Sequence, residues 1–113
     1  LGSIIAYNND IKEKILRVPR QQLKQNGAVS KIVCESMAIG VSEKFNSDIS
    51  IACSGISGPD SDSSNKPVGL VYVTIKYLTD IITKEFIFKI DRKSHRIMTK
   101  HAALYMLWRK LLE

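Results

Sequence analysis

The sequence predicts an α/β fold, a single domain of 113 residues in which helices cover a mixed sheet of about four strands in three layers. Two kinds of apolar segment support this prediction. Short runs rich in β-branched residues are typical of strands, and segments with apolar residues three and four apart are typical of helices. They follow one another in the order β-α-α-α-β-β-β-α. The hydrophobic fraction of 44% is that of a globular chain with one ordinary core.

Residues 1–7 are predicted to form the first strand, because this apolar run contains β-branched residues that favour a sheet. Since the sequence opens inside this run, we expect the first part of the domain to lie upstream. A short helix over residues 10–17 follows, capped by Asn8 or Asn9. Pro19 separates it from a second short helix, since the residue before a proline avoids the helical region.

The third helix is predicted to begin after Ser30, its N-cap, and to end near residues 45–47. The strand that follows, over residues 49–53, is mostly apolar and is therefore expected to be central in the sheet. The third helix is expected to turn one apolar face toward the core. This face consists of Val33, Met37, Gly40 and Val41.

The last two strands are predicted over residues 69–78 and 81–90, and their short connection implies an antiparallel hairpin. Asp91 then caps a final helix over residues 92–112. The apolar residues of this helix, including its Met, Tyr and Trp, are expected to face the core. Its predicted core stripe is Ile97, Leu104, Trp108 and Leu111.

The net charge of +6 is concentrated near the C-terminus. Between Lys89 and Lys110 there are seven basic residues against Asp91, while the rest of the chain is balanced. Such a stripe indicates a phosphate-bearing ligand or partner, or else an ordinary solvated helix face. We expect no exposed aromatic residues within the stripe, which counts against nucleic-acid binding by base stacking.

The sequence predicts neither a metal site nor a membrane-spanning segment. Cys34 and Cys53 lack the spacing of zinc ligands, and His95 and His101 do not share a helix face, so we predict neither a metal site nor a histidine base. No run reaches the roughly 18 apolar residues of a membrane span. We therefore expect a cytoplasmic protein with reduced thiols and no membrane partner.

The second strand ends in a polar, glycine-rich loop of about fifteen residues, which is long for a compact domain. Its Ser-Gly-x-x-Gly-Pro start allows bare backbone to approach a ligand, and successive N–H groups can bind an anion. Ser54 offers a hydroxyl at the strand end and Lys66 a positive charge. Without a histidine, activating a hydroxyl requires a lysine or tyrosine, and Tyr7 and Lys12 flank the first strand–helix junction.

These segments resemble the C-terminal domain of the competence/damage-inducible CinA proteins. The matching stretches are IIAYNNDIK, LRVP, NGAVS, CSGISGP, KPVGLVYV and the pair Asp91-Arg92, in family order along nearly the whole chain. The resemblance implies a homo-oligomeric nicotinamide mononucleotide deamidase. Such an enzyme releases ammonia and leaves nicotinic acid mononucleotide, by Ser-Lys type hydrolysis without metal or cofactor.

The resemblance also implies site residues. Tyr7, Asn9 and Lys12 match the family's Tyr-x-Asn-x-x-Lys stretch, and Ser54 matches the residue before its Gly-rich loop. We expect Lys12 as general base, Tyr7 to relay a proton or orient the amide, and Ser54 to hold the Lys12 network. The expected substrate-binding residues are Asn9, Gly55, Ile56, Gly58 and Pro59, with Lys66 and Arg92 for the phosphate.

One departure concerns the nucleophile. The family's proposed nucleophilic serine lies in an Ala-Glu-Ser-Cys-Thr-Gly-Gly segment before the first matching strand, and the 113 residues do not contain it. We therefore expect these residues alone to be nearly inactive. Smaller departures are Asn8, Ser61-Asp62 and Ile90. The alternatives left open are a non-catalytic oligomerisation domain and a nucleic-acid-binding module.

Overall fold

The structure is a computed structural model that describes residues 1–61 and 64–113. Asp62, one of the departures named above, lies outside these ranges. No helix in the described ranges is long and apolar enough to cross a membrane. The elements in chain order are α1 Asn9–Lys14, α2 Arg20–Asn26, α3 Lys31–Phe45, β1 Ile49–Gly55, β2 Leu70–Tyr77, β3 Asp80–Ile87 and α4 Arg92–Leu111.

The three strands form one antiparallel sheet in the order β1-β2-β3. Tyr77 pairs with Asp80 at the start of the β2–β3 register, which confirms the predicted hairpin. The α/β class is also confirmed, with two corrections within the described residues. The sheet is antiparallel rather than mixed, and its central strand is β2 rather than β1.

Residues 1–7 are not a strand, contrary to the prediction. The segment alternates like one, with Ile4 and Ala6 packed against the core and Ile5 and Tyr7 exposed. A strand also needs a neighbour for its backbone hydrogen bonds. Here the segment and β1 line a common cleft instead of pairing.

Helices cover both faces of the sheet, which makes three layers. On one face α3 buries Val33 and Met37 against Ala52 of β1, in a cluster that includes Leu16. On the other face, α4 packs on the alternate residues of β2: Val71, Val73 and Ile75. The two-residue period of the strand therefore divides the domain into two apolar layers.

Local capping follows the sequence closely. The Asn8 side chain accepts a hydrogen bond from Ile11 N at 3.0 Å, and Ser30 and Asp91 cap α3 and α4 in the same way. Each cap satisfies an N–H group that has no partner within its own helix. Asn8 thereby fixes the start of α1, which carries Lys12.

The predicted core stripe of α4 is wrong. Ile97, Leu104, Trp108 and Leu111 are between 42% and 54% exposed. The buried residues of this helix are instead His95, Ala103 and Met106. Helical spacing identifies a face but not its direction, and Ala103 and Met106 are the buried residues of α4 that pack in the same cluster as β2.

Candidate active site

A cleft of about 970 Å³ lies between the N-terminal segment, β1 and the loop that follows β1. Its walls include Tyr7, Lys12 and Ser54, together with Arg92 from the first turn of α4. Parts of the chain that are distant in sequence, namely the N-terminal segment, β1 with its following loop, and α4, therefore meet at one concave surface. Clefts of this size are typical of sites for small ligands.

Lys12 is a buried cation at this cleft, with 7% of its surface exposed. Its ammonium donates to the carbonyl oxygen of Ala6 at 2.8 Å, and within the described residues it has no carboxylate partner. Burial lowers the pKa of Lys12 from its usual 10.5, because desolvation disfavours the charged form. This is the change that a lysine needs to act as a base.

Tyr7 and Ser54 lie on the same cleft in different environments. The Tyr7 side chain is 91% exposed, whereas Ser54 is buried and its hydroxyl donates to Ala28 O at 2.7 Å. No hydrogen bond joins Ser54 to Lys12 in the part of the chain that the structure describes. Ser54 therefore connects β1 to the segment before α3, and the Lys12 contact expected of it is not formed.

The glycine-rich loop has a defined backbone path. Ile56 N donates to Leu70 O at 2.8 Å and Gly69 N donates to Ile56 O at 2.7 Å, which extends the β1–β2 ladder into the loop. Gly58 has a φ of +82°, and a Cβ there would lie 2.6 Å from Val68 Cγ1, so this position requires glycine.

Arg92 is tied to the same loop, since its guanidinium donates to Gly58 O at 3.0 Å. Gly55, Ile56 and Gly58 line the cleft, but Pro59, which was expected to bind substrate, does not. The backbone of the loop and the guanidinium of Arg92 from α4 therefore share one wall of the cleft. This combination suits an anionic or strongly polar ligand group.

Two further predicted residues lie elsewhere. The Lys66 ammonium donates to the carbonyls of Asn26 and Val29, and Lys66 does not line the main cleft. Asn9 is the exposed first residue of α1 and is also outside the cleft lining. Lys66 therefore closes the C-terminal end of α2, where free carbonyls attract a cation.

The sequence prediction missed a hydrogen-bonded pair at the cleft. Ser57 Oγ lies 3.0 Å from Nδ1 of His95, a side chain that is 2% exposed. The two residues are 38 positions apart, so no local spacing connects them. In the sequence, the place of Ser57 within the glycine-rich loop is the feature that could have indicated a site residue.

Comparison with known proteins shows the family of this chain. A profile of the CinA C-terminal domain matches residues 1–111. The chain belongs to this family. Among its relatives, a CinA-like protein of Prochlorococcus marinus subsp. pastoris is 55% identical over 74 residues, which are 66% of this chain and 17% of that protein. A CinA-like protein of Dictyoglomus thermophilum is 40% identical over 98% of this chain and 27% of its own length.

Solved CinA structures have the same fold. Competence damage-inducible protein A from Klebsiella pneumoniae gives a TM-score of 0.92 at 27% identity, covering 96% of this chain and 67% of that one. A competence/damage inducible protein from Agrobacterium tumefaciens gives 0.85 at 34% identity, covering 91% and 64%. The chain thus spans at most 27% of the two relatives and about two thirds of these structures.

Proposed function

We propose that this CinA C-terminal domain hydrolyses the carboxamide of nicotinamide mononucleotide, releasing ammonia and nicotinic acid mononucleotide. The observation that carries the proposal is Lys12, a buried amine with a lowered pKa and no acidic partner among the described residues, on the wall of a ligand-sized cleft. Buried lysines without a counter-ion are costly, and at a cleft they are candidate bases.

In the proposed reaction, the neutral Lys12 amine takes the proton of the attacking hydroxyl or water as its oxygen adds to the amide carbon. The C–N bond then breaks, and Lys12 returns the proton to the departing ammonia. When water attacks, this step yields the acid directly; when a hydroxyl attacks, a water must then hydrolyse the ester that forms, which frees the hydroxyl and releases the acid. Tyr7 orients the amide at the open side of the cleft. Backbone N–H groups of Ser57 and Gly58 stabilise the oxyanion, because the N–H of Ile56 already donates to Leu70 O, and Arg92 holds the phosphate.

The direct test is ammonia release from nicotinamide mononucleotide by the product of the full reading frame that encodes these residues. We expect one nicotinic acid mononucleotide for each ammonia, with no requirement for added metal. Ammonia release no faster than in a protein-free control would contradict the proposed reaction. Nicotinamide riboside, which lacks the phosphate, serves as a comparison for the role of Arg92.

The pH dependence follows from Lys12. Because burial lowers its pKa below 10.5, the amine loses its proton at a lower pH than an exposed lysine does. We expect kcat/KM to rise with pH through an apparent pKa below 10.5. The residual activity of Lys12→Ala should lack this rise. An identical rise in that variant would assign the titration to another group.

A second candidate, binding of single-stranded nucleic acid, gains support from α4. Tyr105 and Trp108 are 55% and 54% exposed, their ring centroids are 5.8 Å apart, and Arg109, which is also exposed, follows Trp108 in the sequence. The prediction that the basic stripe lacks exposed aromatics is therefore wrong. Filter binding of single-stranded DNA at two salt concentrations tests this candidate, which predicts affinity that falls steeply with salt and in Trp108→Ala.

A further inference from the structure

The pair formed by Ser57 and His95 has hydrogen-bond directions that its neighbours determine. His95 Nε2 lies 3.0 Å from the carbonyl oxygen of Gly69, and Nδ1 lies 3.0 Å from Ser57 Oγ. The imidazole is buried, with the ring of Phe88 edge-on at 6.0 Å. The ring therefore has no exposed edge at which water could replace either of these two partners.

A carbonyl oxygen only accepts hydrogen bonds, so Nε2 of His95 carries the proton in this contact. In the neutral imidazole Nδ1 then has a lone pair and accepts. The hydroxyl of Ser57 must therefore donate its single proton to Nδ1. The Ser57 oxygen can then accept a further hydrogen bond but cannot donate one. Ser57 lines the cleft, so this acceptor is available to a ligand there.

We propose that Ser57, with its proton committed to His95, is an acceptor-only group that selects a carboxamide over a carboxylate in the cleft. This inference rests on the proposed amide hydrolysis and concerns its specificity. A carboxamide NH₂ donates to such an oxygen, whereas a carboxylate offers only further acceptors. The substrate is therefore bound through Ser57, and the acid produced by hydrolysis is repelled by it.

The experiment compares KM for nicotinamide mononucleotide with Ki for nicotinic acid mononucleotide, using the full-length protein. In Ser57→Ala we expect KM to rise about fivefold, the effect of losing one neutral hydrogen bond, while Ki for the acid does not rise. The ratio Ki/KM then falls about fivefold. General damage to the cleft would raise both constants together and leave their ratio unchanged.

A second variant acts in a different way. His95→Phe removes the acceptor of the Ser57 proton, so the hydroxyl becomes able to donate to a carboxylate, and Ki for the acid should fall below the wild-type value. Gly69 O keeps the hydrogen bond from Phe88 N in this variant. If His95→Phe does not fold, as judged by circular dichroism, Ser57→Ala decides alone.

Ser36→Ala is the matched control. Its hydroxyl donates to Gln22 Oε1 at 2.6 Å, and Ser36 does not line the cleft, so both constants should remain unchanged. If the Ser57→Ala protein is active and its Ki/KM ratio stays within twofold of the wild-type ratio, this inference is overturned and the proposed reaction stands. Wild-type protein that releases no ammonia would overturn the proposed reaction, and this inference with it.

Discussion

Replacing Lys12 by alanine is expected to lower kcat for ammonia release at least about 100-fold, the lower end of what general acid–base catalysis contributes. The side chain is buried at the cleft, its pKa is lowered by desolvation, and its amine contacts a backbone carbonyl rather than a carboxylate. Single-turnover measurement of ammonia release isolates the chemical step from product release.

Two variants separate chemistry from packing. Lys12→Met keeps most of the buried hydrocarbon and removes the amine, so it should fold at least as well as wild type and be as inactive as Lys12→Ala. Lys14→Ala removes an exposed lysine from the same helix and should leave kcat unchanged. Wild-type-like turnover in Lys12→Met would reject Lys12 as the base.

Replacing Gly40 by alanine is expected to destabilise the domain by about 3 kcal/mol, the upper part of the usual range for overpacking. Gly40 lies inside α3, where alanine would normally be favoured over glycine by about 1 kcal/mol. An added Cβ would lie 1.9 Å from the backbone oxygen of Leu16, and no side-chain rotation relieves a clash with backbone. The chain must therefore separate α3 from the segment that follows α1.

Urea denaturation at equilibrium measures this effect as a fall in the midpoint at constant slope. Glu43→Ala, an exposed change in the same helix, should alter the free energy of unfolding by less than about 0.5 kcal/mol. A Gly40→Ala protein as stable as wild type would show that α3 and Leu16 are not in close contact. Because this contact also positions α1, we expect the variant to lose activity together with stability.

Short-range features were predictable because a few adjacent residues determine them. Asn8, Ser30 and Asp91 cap their helices as expected, since a side chain at the N-cap contacts an N–H group only three residues later. The β2–β3 hairpin follows for the same reason, because its connection is too short for any other arrangement.

Features that depend on a distant partner were not predictable. Residues 1–7 have a strand-like pattern, but the pattern does not specify a neighbouring strand. Helix α4 carries apolar residues on more than one side, and only its packing against β2 selects Met106 over Leu104 as the buried residue. The α/β class could still be predicted, because it depends on the types of the elements rather than on their contacts.

The same distinction applies to the candidate site. Tyr7, Lys12 and Ser54 lie on motifs that resemble the CinA family, and the structure places all three on one cleft. The charge of Lys66 and its place in the loop predict phosphate binding, but its ammonium donates to the carbonyls of Asn26 and Val29 instead. Only the tertiary structure brings Ser57 and His95 together, since their hydrogen bond joins the loop after β1 to α4.

The proposed role of Lys12 as the base is tested by titrating Lys12 itself. Carbon-13 NMR of protein labelled at the lysine Cε atoms follows each amine between about pH 6 and pH 11. We expect one resonance that is missing from the Lys12→Met protein and titrates below 10.5, because burial lowers the pKa of Lys12. A Lys12 resonance that titrates at or above 10.5 would contradict the assignment of Lys12 as the catalytic base.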